Sequence, residues 1–197
     1  MFFRTMIVVG ALGIGSVTGH PQMKMDGPEK PAAGAAVSPA KALDDLLNML
    51  EEPLTGVAKT MPADKYNFAP SGATFASGQG VKFDGVRTFA QEATHLIQAN
   101  YFFFSSITGV KPDVDMKALG ALTKKDDIVA ALASSFAYAH KAIATITAAN
   151  AFVAIDGVDG MHTRATVVAF GVAHGYDHYG QMVEYLRMNG LVPPGSK

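Results

Sequence analysis

The chain has 197 residues, of which 49% are hydrophobic and 17% charged, so it has enough apolar material for one sizeable core. Lys and Arg number 16 against 17 for Asp and Glu, which leaves no bulk positive charge to hold a nucleic-acid backbone. The absence of cysteine excludes disulfides, thiolate ligands and a cysteine nucleophile. A metal ion would therefore have to bind through nitrogen or oxygen.

Residues 1–19 have the pattern of a secretory signal peptide. Arg4 precedes an apolar run from Met6 to Val17, which is well below the roughly 20 residues that span a bilayer. Small residues follow and offer a plausible cleavage site. We expect the mature protein to be exported, to the periplasm or beyond the cell, with no stable membrane span; an uncleaved N-terminal anchor is the alternative.

Residues 20–37 predict a flexible linker. They are rich in Pro, Gly and Ala and lack a helical apolar stripe. From Ser38 onward the pattern changes to long helical periods separated by clusters of glycine and proline. Residues 38–197 are therefore expected to form one helical domain.

Four segments of this domain carry apolar residues at helical spacing, and the stretches between them show no strand period. The predicted helices run from Pro39, capped by Ser38, to beyond Leu54; from about Val86 to Ile107; from Thr123, as N-cap, towards Asn150; and from about Thr163 to Met188. This pattern predicts an all-α fold, a four-helix bundle around one core. Long loops, Met61 to Gly85 and Ala151 to Met161, leave the order of the helices open.

His174 and His178 form the strongest chemical motif. Residues four apart on a helix are separated by roughly 40° and about 6 Å, so both imidazoles can reach one ion. The intervening Gly-Tyr-Asp lacks the Glu that a zinc peptidase places directly after its first histidine. The pair is typical of a metal site without peptidase chemistry, although such pairs also occur by chance on exposed helices.

A third ligand is expected from a facing helix, and His95 is the candidate. It lies in the second predicted helix near the apolar side, where a lone histidine is more often a hydrogen-bonded core residue. A buried neutral imidazole is also ready to bind a metal ion, and three histidines plus water make an open site. Glu92, one turn earlier, is expected to be solvated or salt-bridged; orienting an imidazole or binding the ion directly is the alternative.

The remaining polar and aromatic candidates are weaker. His140 and His162 have no partner at ligand spacing and are expected to be surface or capping residues. Gln181 lies on the same helical stripe as His178 and is either a partner of the site or purely structural. Tyr176, Tyr179 and residues 101–104 are expected to pack in the core, with lining of a pocket as the alternative.

Four passages between Ser38 and Pro194 form a recognisable set: Met61–Pro70, Val86–His95 with Ala99-Asn100, His174–Gln181 and Leu186–Pro194. Together they resemble the DinB-like superfamily of metal-dependent four-helix-bundle proteins, which also includes the YfiT-like thiol transferases. The metal-binding histidines of that family fall on His95, His174 and His178. The resemblance implies an up-down-down-up bundle and frequent homodimers.

The resemblance also implies one divalent metal ion, most often nickel or zinc, with iron or manganese as alternatives, and a small-molecule substrate. Characterised relatives transfer low-molecular-weight thiols, which implies a metal-dependent S-transferase. Export argues against a cytosolic thiol as cosubstrate. The alternatives are a hydrolase of an extracytoplasmic substrate, a metal-binding module without catalysis, and a structural bundle whose histidines bind nothing.

Overall fold

The computed structural model describes residues 31–72 and 80–195. The predicted signal peptide, residues 1–19, and residues 20–30 of the predicted linker lie outside the described residues. Contacts divide the chain into two units, Met1–Ala35 and Ala36–Lys197. The architecture below is that of the second unit.

Helices make up most of the second unit. The described elements are α1 (Pro39–Thr60), a 3₁₀ turn (Ala63–Lys65), α2 (Phe89–Thr108), α3 (Met116–Gly120), α4 (Lys125–Ile143), β1 (Ala154–Val158), β2 (Met161–Thr163) and α5 (Arg164–Met188). Within the described residues, none of the helices combines the length and the hydropathy needed to cross a membrane.

α1 and α5 begin as the sequence predicts. The Ser38 hydroxyl accepts a hydrogen bond from the Lys41 N–H, and Pro39 occupies the first helical position, where a missing N–H costs nothing. Thr163 caps α5 and accepts from the Thr166 N–H. α1 also continues through Pro53, as expected.

α2 begins three residues later than predicted, at Phe89 instead of Val86. The reason is a capping box. The Gln91 N–H donates to the Thr88 hydroxyl while the Gln91 side chain accepts from the Thr88 N–H, which holds Thr88 in an extended conformation. The helix ends at Gly109, whose φ of 71° is in the left-handed region that glycine tolerates.

The predicted bounds of the third long helix are wrong at both ends. α4 begins at Lys125 after Lys124, not after a Thr123 cap. It ends at Ile143 instead of continuing towards Asn150. Asn150 stabilises the loop instead, because its side chain donates to the Thr145 carbonyl and accepts from the Thr147 N–H.

The expectation of no strands is also wrong. β1 and β2 form an antiparallel hairpin inside the predicted loop, joined at Asp159 and Gly160, whose φ values of 48° and 80° are those of a tight hairpin turn. The strands have 5 and 3 residues, too few to show alternation in the sequence. Gly157 allows the close pairing, since a Cβ there would lie 1.8 Å from the Met161 carbonyl oxygen.

The core lies between the four long helices. α1 packs against α4 and α5, and α2 packs against the same two helices. Buried aromatic side chains fill the interior, namely Tyr66, Phe89, Phe104 and Phe136. This packing places the faces of α2 and α5 that carry the candidate ligands against each other.

Candidate metal centre

The three predicted ligands meet in the structure. His95 projects from α2, and His174 and His178 project from α5. The ring centroids lie 5.2 Å apart for His95 and His174, 4.7 Å for His95 and His178, and 4.6 Å for His174 and His178. One ring nitrogen from each lies within 4.8 Å of the other two. The structure thus brings together the whole predicted ligand set, and these histidines could hold a metal ion.

Small and aromatic residues of α5 and α2 hold the rings in place. Phe103 packs edge to face against His174, with centroids 5.2 Å apart and an interplanar angle of 87°. Gly175, between the two histidines of α5, faces Leu50 of α1, where a Cβ would lie 2.3 Å from a leucine methyl carbon. The absence of a side chain at Gly175 therefore permits the close approach of α5 to α1.

Glu92 makes a buried hydrogen bond to a ligand. His178 Nδ1 donates to Glu92 Oε2 over 2.5 Å, and the two residues are 5% and 1% exposed. Glu92 is therefore not solvated, because α2 turns it inward; it pairs with His178, which agrees with the alternative that it orients an imidazole. A carboxylate on Nδ1 fixes the tautomer of His178 and leaves Nε2 for a metal ion, which is the usual environment of a ligand histidine.

Like His178, His174 has a ring nitrogen that suits a metal ion. Its Nε2 is buried and has no hydrogen-bond partner among the described residues. Burial lowers the pKa of His174, and the neighbouring His178 lowers it further. A buried nitrogen without a partner costs free energy unless something binds it, and a metal ion would do so. The donor set therefore fits a divalent ion.

His95 is held neutral. Burial lowers its pKa to about 4, with further contributions from the charge of Arg87 and from the other two histidines, while Glu92 acts in the opposite direction. An imidazole must be deprotonated to bind a metal ion. His95 is therefore available as a ligand at neutral pH.

Two clefts open beside His95. We call the first the polar cleft; it has a volume of about 440 Å³ and includes Arg87, Gln91 and Gln98. We call the second the apolar cleft; it has a volume of about 370 Å³, and its lining is His95, Gln98, Ala99, Phe102, Phe103, Met116, Asp159 and His174. His95 is thus reached from both clefts and His174 from the apolar cleft, whereas His178 lines neither.

The aromatic residues divide between core and cleft. Phe104 and Tyr101 are buried, as expected, whereas Phe102 and Phe103 line the apolar cleft, so the pocket-lining alternative holds for those two. Tyr176 is exposed, and its hydroxyl donates to the Met49 carbonyl instead of entering the site.

Other polar candidates lie away from the cluster. Gln181 donates to Asp177, not to a ligand histidine. His162 is exposed on β2. His140 does more than the expected surface or capping role: its Nδ1 lies 2.5 Å from Asp44 and its Nε2 2.7 Å from Glu51, so it joins α4 to α1.

Sequence reasoning missed three residues that shape the clefts. Asp159 is placed by the unpredicted hairpin, Met116 by the unpredicted short helix α3, and Arg87 by the last residues before α2. A signal existed for one of them, since Asp159-Gly160 is a favoured two-residue hairpin turn. The other two positions depend on tertiary packing.

Comparison with known proteins agrees with the geometry. The family model of the DinB superfamily matches residues 42–182. A DinB-like protein from Bacillus cereus, known from its crystal structure, has a similar fold, with a TM-score of 0.62 and 17% sequence identity over 79% of this chain and 95% of that chain. No curated protein matches this chain significantly.

Proposed function

Since the chain belongs to the DinB superfamily, we propose that it binds one divalent metal ion through His95, His174 and His178 and uses that ion on a small-molecule substrate. The observation that carries this proposal is the convergence of three ring nitrogens within 4.8 Å of one another. Metal–nitrogen bonds of about 2.1 Å place two ligand nitrogens at most about 4.2 Å apart, so small rotations of the rings suffice.

The proposed architecture is an up-down-down-up four-helix bundle. Contacts between helices support it, because α1 and α5 run in one direction and α2 and α4 in the other. α1 and α5 are parallel, since Leu50 lies next to Gly175 and Gly56 next to Pro194. α1 and α4 are antiparallel, since Asp44 contacts His140 and Lys59 contacts Lys125. α2 is parallel to α4 and antiparallel to α5, as indicated by the contacts Asn100–Ser135 and Val110–Tyr138 for α4 and Glu92–His178 and Ile107–Arg164 for α5.

Each residue of the centre has a separate role in this proposal. His178, oriented by Glu92, offers Nε2, and His174 offers its unpartnered Nε2. A bound divalent ion would act as a Lewis acid that lowers the pKa of a thiol or of water. Phe103 packs edge to face on His174 and fixes the orientation of its ring. Access from the two clefts favours catalysis over mere storage of the ion.

The reaction we propose is transfer of a thiol to an electrophilic substrate, as in the thiol transferases that the sequence resembles. Hydrolysis of an extracytoplasmic substrate is the second candidate, and the predicted signal peptide favours it because cytosolic thiols are scarce outside the cell membrane. Nickel or zinc is the proposed ion. Three imidazoles also suit iron or manganese, so affinity alone does not select the metal.

Export and dimer formation complete the proposal. Both follow from the sequence, export from residues 1–19 and dimers from the family resemblance. N-terminal sequencing of protein from each cell fraction tests the first, with Gly19 as the expected cleavage position. Light scattering coupled to size exclusion tests the second, with twice the chain mass expected.

The decisive experiment for metal binding is elemental analysis of the full chain beside the triple variant His95→Ala, His174→Ala, His178→Ala. We expect about one equivalent of metal in the wild type and almost none in the triple variant. The double variant His140→Ala, His162→Ala is the matched control and should retain the metal. Equal metal content in the wild type and the triple variant would show that the ligand assignment is wrong.

The reaction class needs a separate measurement. Metal-loaded protein is assayed for conjugation of a low-molecular-weight thiol to an electrophile and, in parallel, for ester hydrolysis. Turnover lost in His178→Ala but kept in His162→Ala identifies the reaction. Tight metal binding without either activity would favour the metal-binding module.

A further inference from the structure

We propose that the substrate is a small amphiphile, with an anionic group bound by Arg87 in the polar cleft and an apolar group on Phe102 in the apolar cleft. The clefts meet at His95, which lines both. The reacting part of the substrate would therefore lie between its two ends, over the histidines. This inference rests on the proposed function, because it takes the metal centre as the place of reaction.

Arg87 supplies the anion-binding group. It lines the polar cleft, its side chain is exposed, and it has no ion-pair partner among the described residues. It lines the same cleft as His95, so an anion bound to it would lie next to the histidines. A free guanidinium binds carboxylate or phosphate oxygens through two parallel hydrogen bonds. The polar cleft is thus suited to a negatively charged group.

Phe102 supplies the apolar surface. It is 54% exposed and lies two helical turns after His95, on the same face of α2. Ala99, Phe103 and Met116 complete the apolar wall around it. Ligand sites are typically concave and mostly apolar, with a few polar groups that fix orientation. The apolar cleft therefore fits a hydrocarbon or aromatic group of the substrate.

Gln98 lies beside His95 at the border of the two clefts. Its side chain lines both, and its Nε2 donates to the Met116 carbonyl of α3 over 2.7 Å. α3 is closely packed there, since a Cβ on Gly120 would lie 2.5 Å from that Nε2. Gln98 is consequently held in a fixed position beside both clefts, where its amide is a polar group that both share.

Asp159 favours one orientation of the substrate over the other. It lies at the turn of the hairpin, lines the apolar cleft and is exposed. Its negative charge disfavours an anion in that cleft, whereas the positive charge of Arg87 favours one in the other. The anionic end of the substrate is therefore directed to Arg87, and the apolar end to Phe102.

Three probes test the proposal by calorimetry on the full chain at pH 7.5. N-octanoylglycine carries both groups, N-octanoylglycinamide lacks the charge, and N-acetylglycine lacks the apolar chain. We expect N-octanoylglycine to bind best, with each of the other two weaker by at least about tenfold. Equal affinity of the acid and its amide, or no binding of any probe, would overturn the proposal.

Two variants test which residue causes the preference for the acid and which causes the preference for the long chain. Arg87→Gln should abolish the preference for the acid over the amide and leave the preference for the long chain. Phe102→Ala should abolish the preference for the long chain and leave the preference for the acid over the amide. Arg187→Gln and Phe152→Ala, which lie outside both clefts, are the matched controls and should change neither. Equal weakening of both octanoyl probes by Arg87→Gln would show that Arg87 does not bind the charge.

Metal-loaded and EDTA-treated protein are compared to separate this inference from the proposed metal binding. The preference for the acid should persist without metal, because Arg87 provides it. Its loss on removal of the metal would mean that the carboxylate binds the ion, and the role of Arg87 would be wrong. Metal content, measured on the same samples, reports independently on the three histidines.

Discussion

Glu92 on α2 and His178 on α5 are joined by a hydrogen bond of 2.5 Å in an almost fully buried position. α2 thus provides one candidate ligand, His95, and also the carboxylate that orients a second candidate, His178, on the facing helix. A buried carboxylate is costly unless it is paired, so its position next to an imidazole favours a specific role. In the proposed metal site, that role is to hold His178 by Nδ1 and leave Nε2 free for the ion.

The first prediction concerns this carboxylate. Glu92→Gln should weaken zinc binding by about 10- to 100-fold, because a neutral amide is a poorer partner for a ligand imidazole. Isothermal titration calorimetry with zinc measures the effect. Glu184→Gln is the control, because Glu184 is an exposed carboxylate on α5, the helix that carries His178. Unchanged affinity in Glu92→Gln would mean that the hydrogen bond is purely structural.

The second prediction uses pH. Burial lowers the pKa of His140, but its hydrogen bonds to Glu51 and Asp44 outweigh burial, so the pKa is raised above the ordinary value near 6.5. The folded state therefore binds the proton more tightly than the unfolded state. This contribution to stability is fully present below about pH 6.5 and is lost as the pH rises through the higher folded value.

Thermal melting of the metal-free protein across pH 6 to 9 measures this loss. His140→Ala should lower the melting temperature at pH 6 and should flatten its dependence on pH above 6.5. His162→Ala is the control, since His162 is exposed on the hairpin. A wild-type slope that survives in His140→Ala would place the titrating group elsewhere.

The third prediction concerns acid. The folded pKa of His95 is about 4, below its unfolded value near 6.5, so the unfolded chain takes up the proton first. In the metal-free protein, this group should therefore lower stability as the pH falls from about 6.5 to 4. His95→Gln should remove part of that loss in a melting series, and no effect of the substitution would contradict the low pKa.

The fourth prediction compares two glycines of α5. Gly175→Ala should destabilise the protein by roughly 1–3 kcal/mol, because the new Cβ would overlap the buried Leu50 side chain. Gly180→Ala, where nothing lies within 4 Å of the added carbon, should stabilise it by about 0.5–1 kcal/mol through helix propensity. Urea unfolding of both variants gives the comparison, and equal effects would argue against the close contact.

The pairing of His174 with His178 on one helix face was predictable because helical spacing is a local property. The interval of four residues between them places both on the same side of α5. His95 was a candidate because it lies on the apolar side of a facing helix, and the family resemblance then matched all three histidines. The start of α1 at Ser38 and Pro39 was predictable for the same reason, since a cap depends on neighbouring residues.

Features that depend on distant contacts were not predictable. The burial of Glu92 follows from the packing of α2 against α5, which no pattern within α2 reveals. His140 looked isolated because its partners, Asp44 and Glu51, lie on α1, far away in the sequence. Short elements such as α3 and the hairpin carry too few residues for a period to emerge.

The division of the ligands between α2 and the last helix has a consequence for folding. An ion held by His95, His174 and His178 would cross-link the chain and close a long loop. Closing a loop of this size lowers the conformational entropy of the unfolded state and so stabilises the folded state by about 4 kcal/mol. A growing chain that lacks α5 offers only one of the three ligands. Uptake of the metal would therefore follow the folding of α5 against α2, and bound metal would indicate that the whole domain has folded.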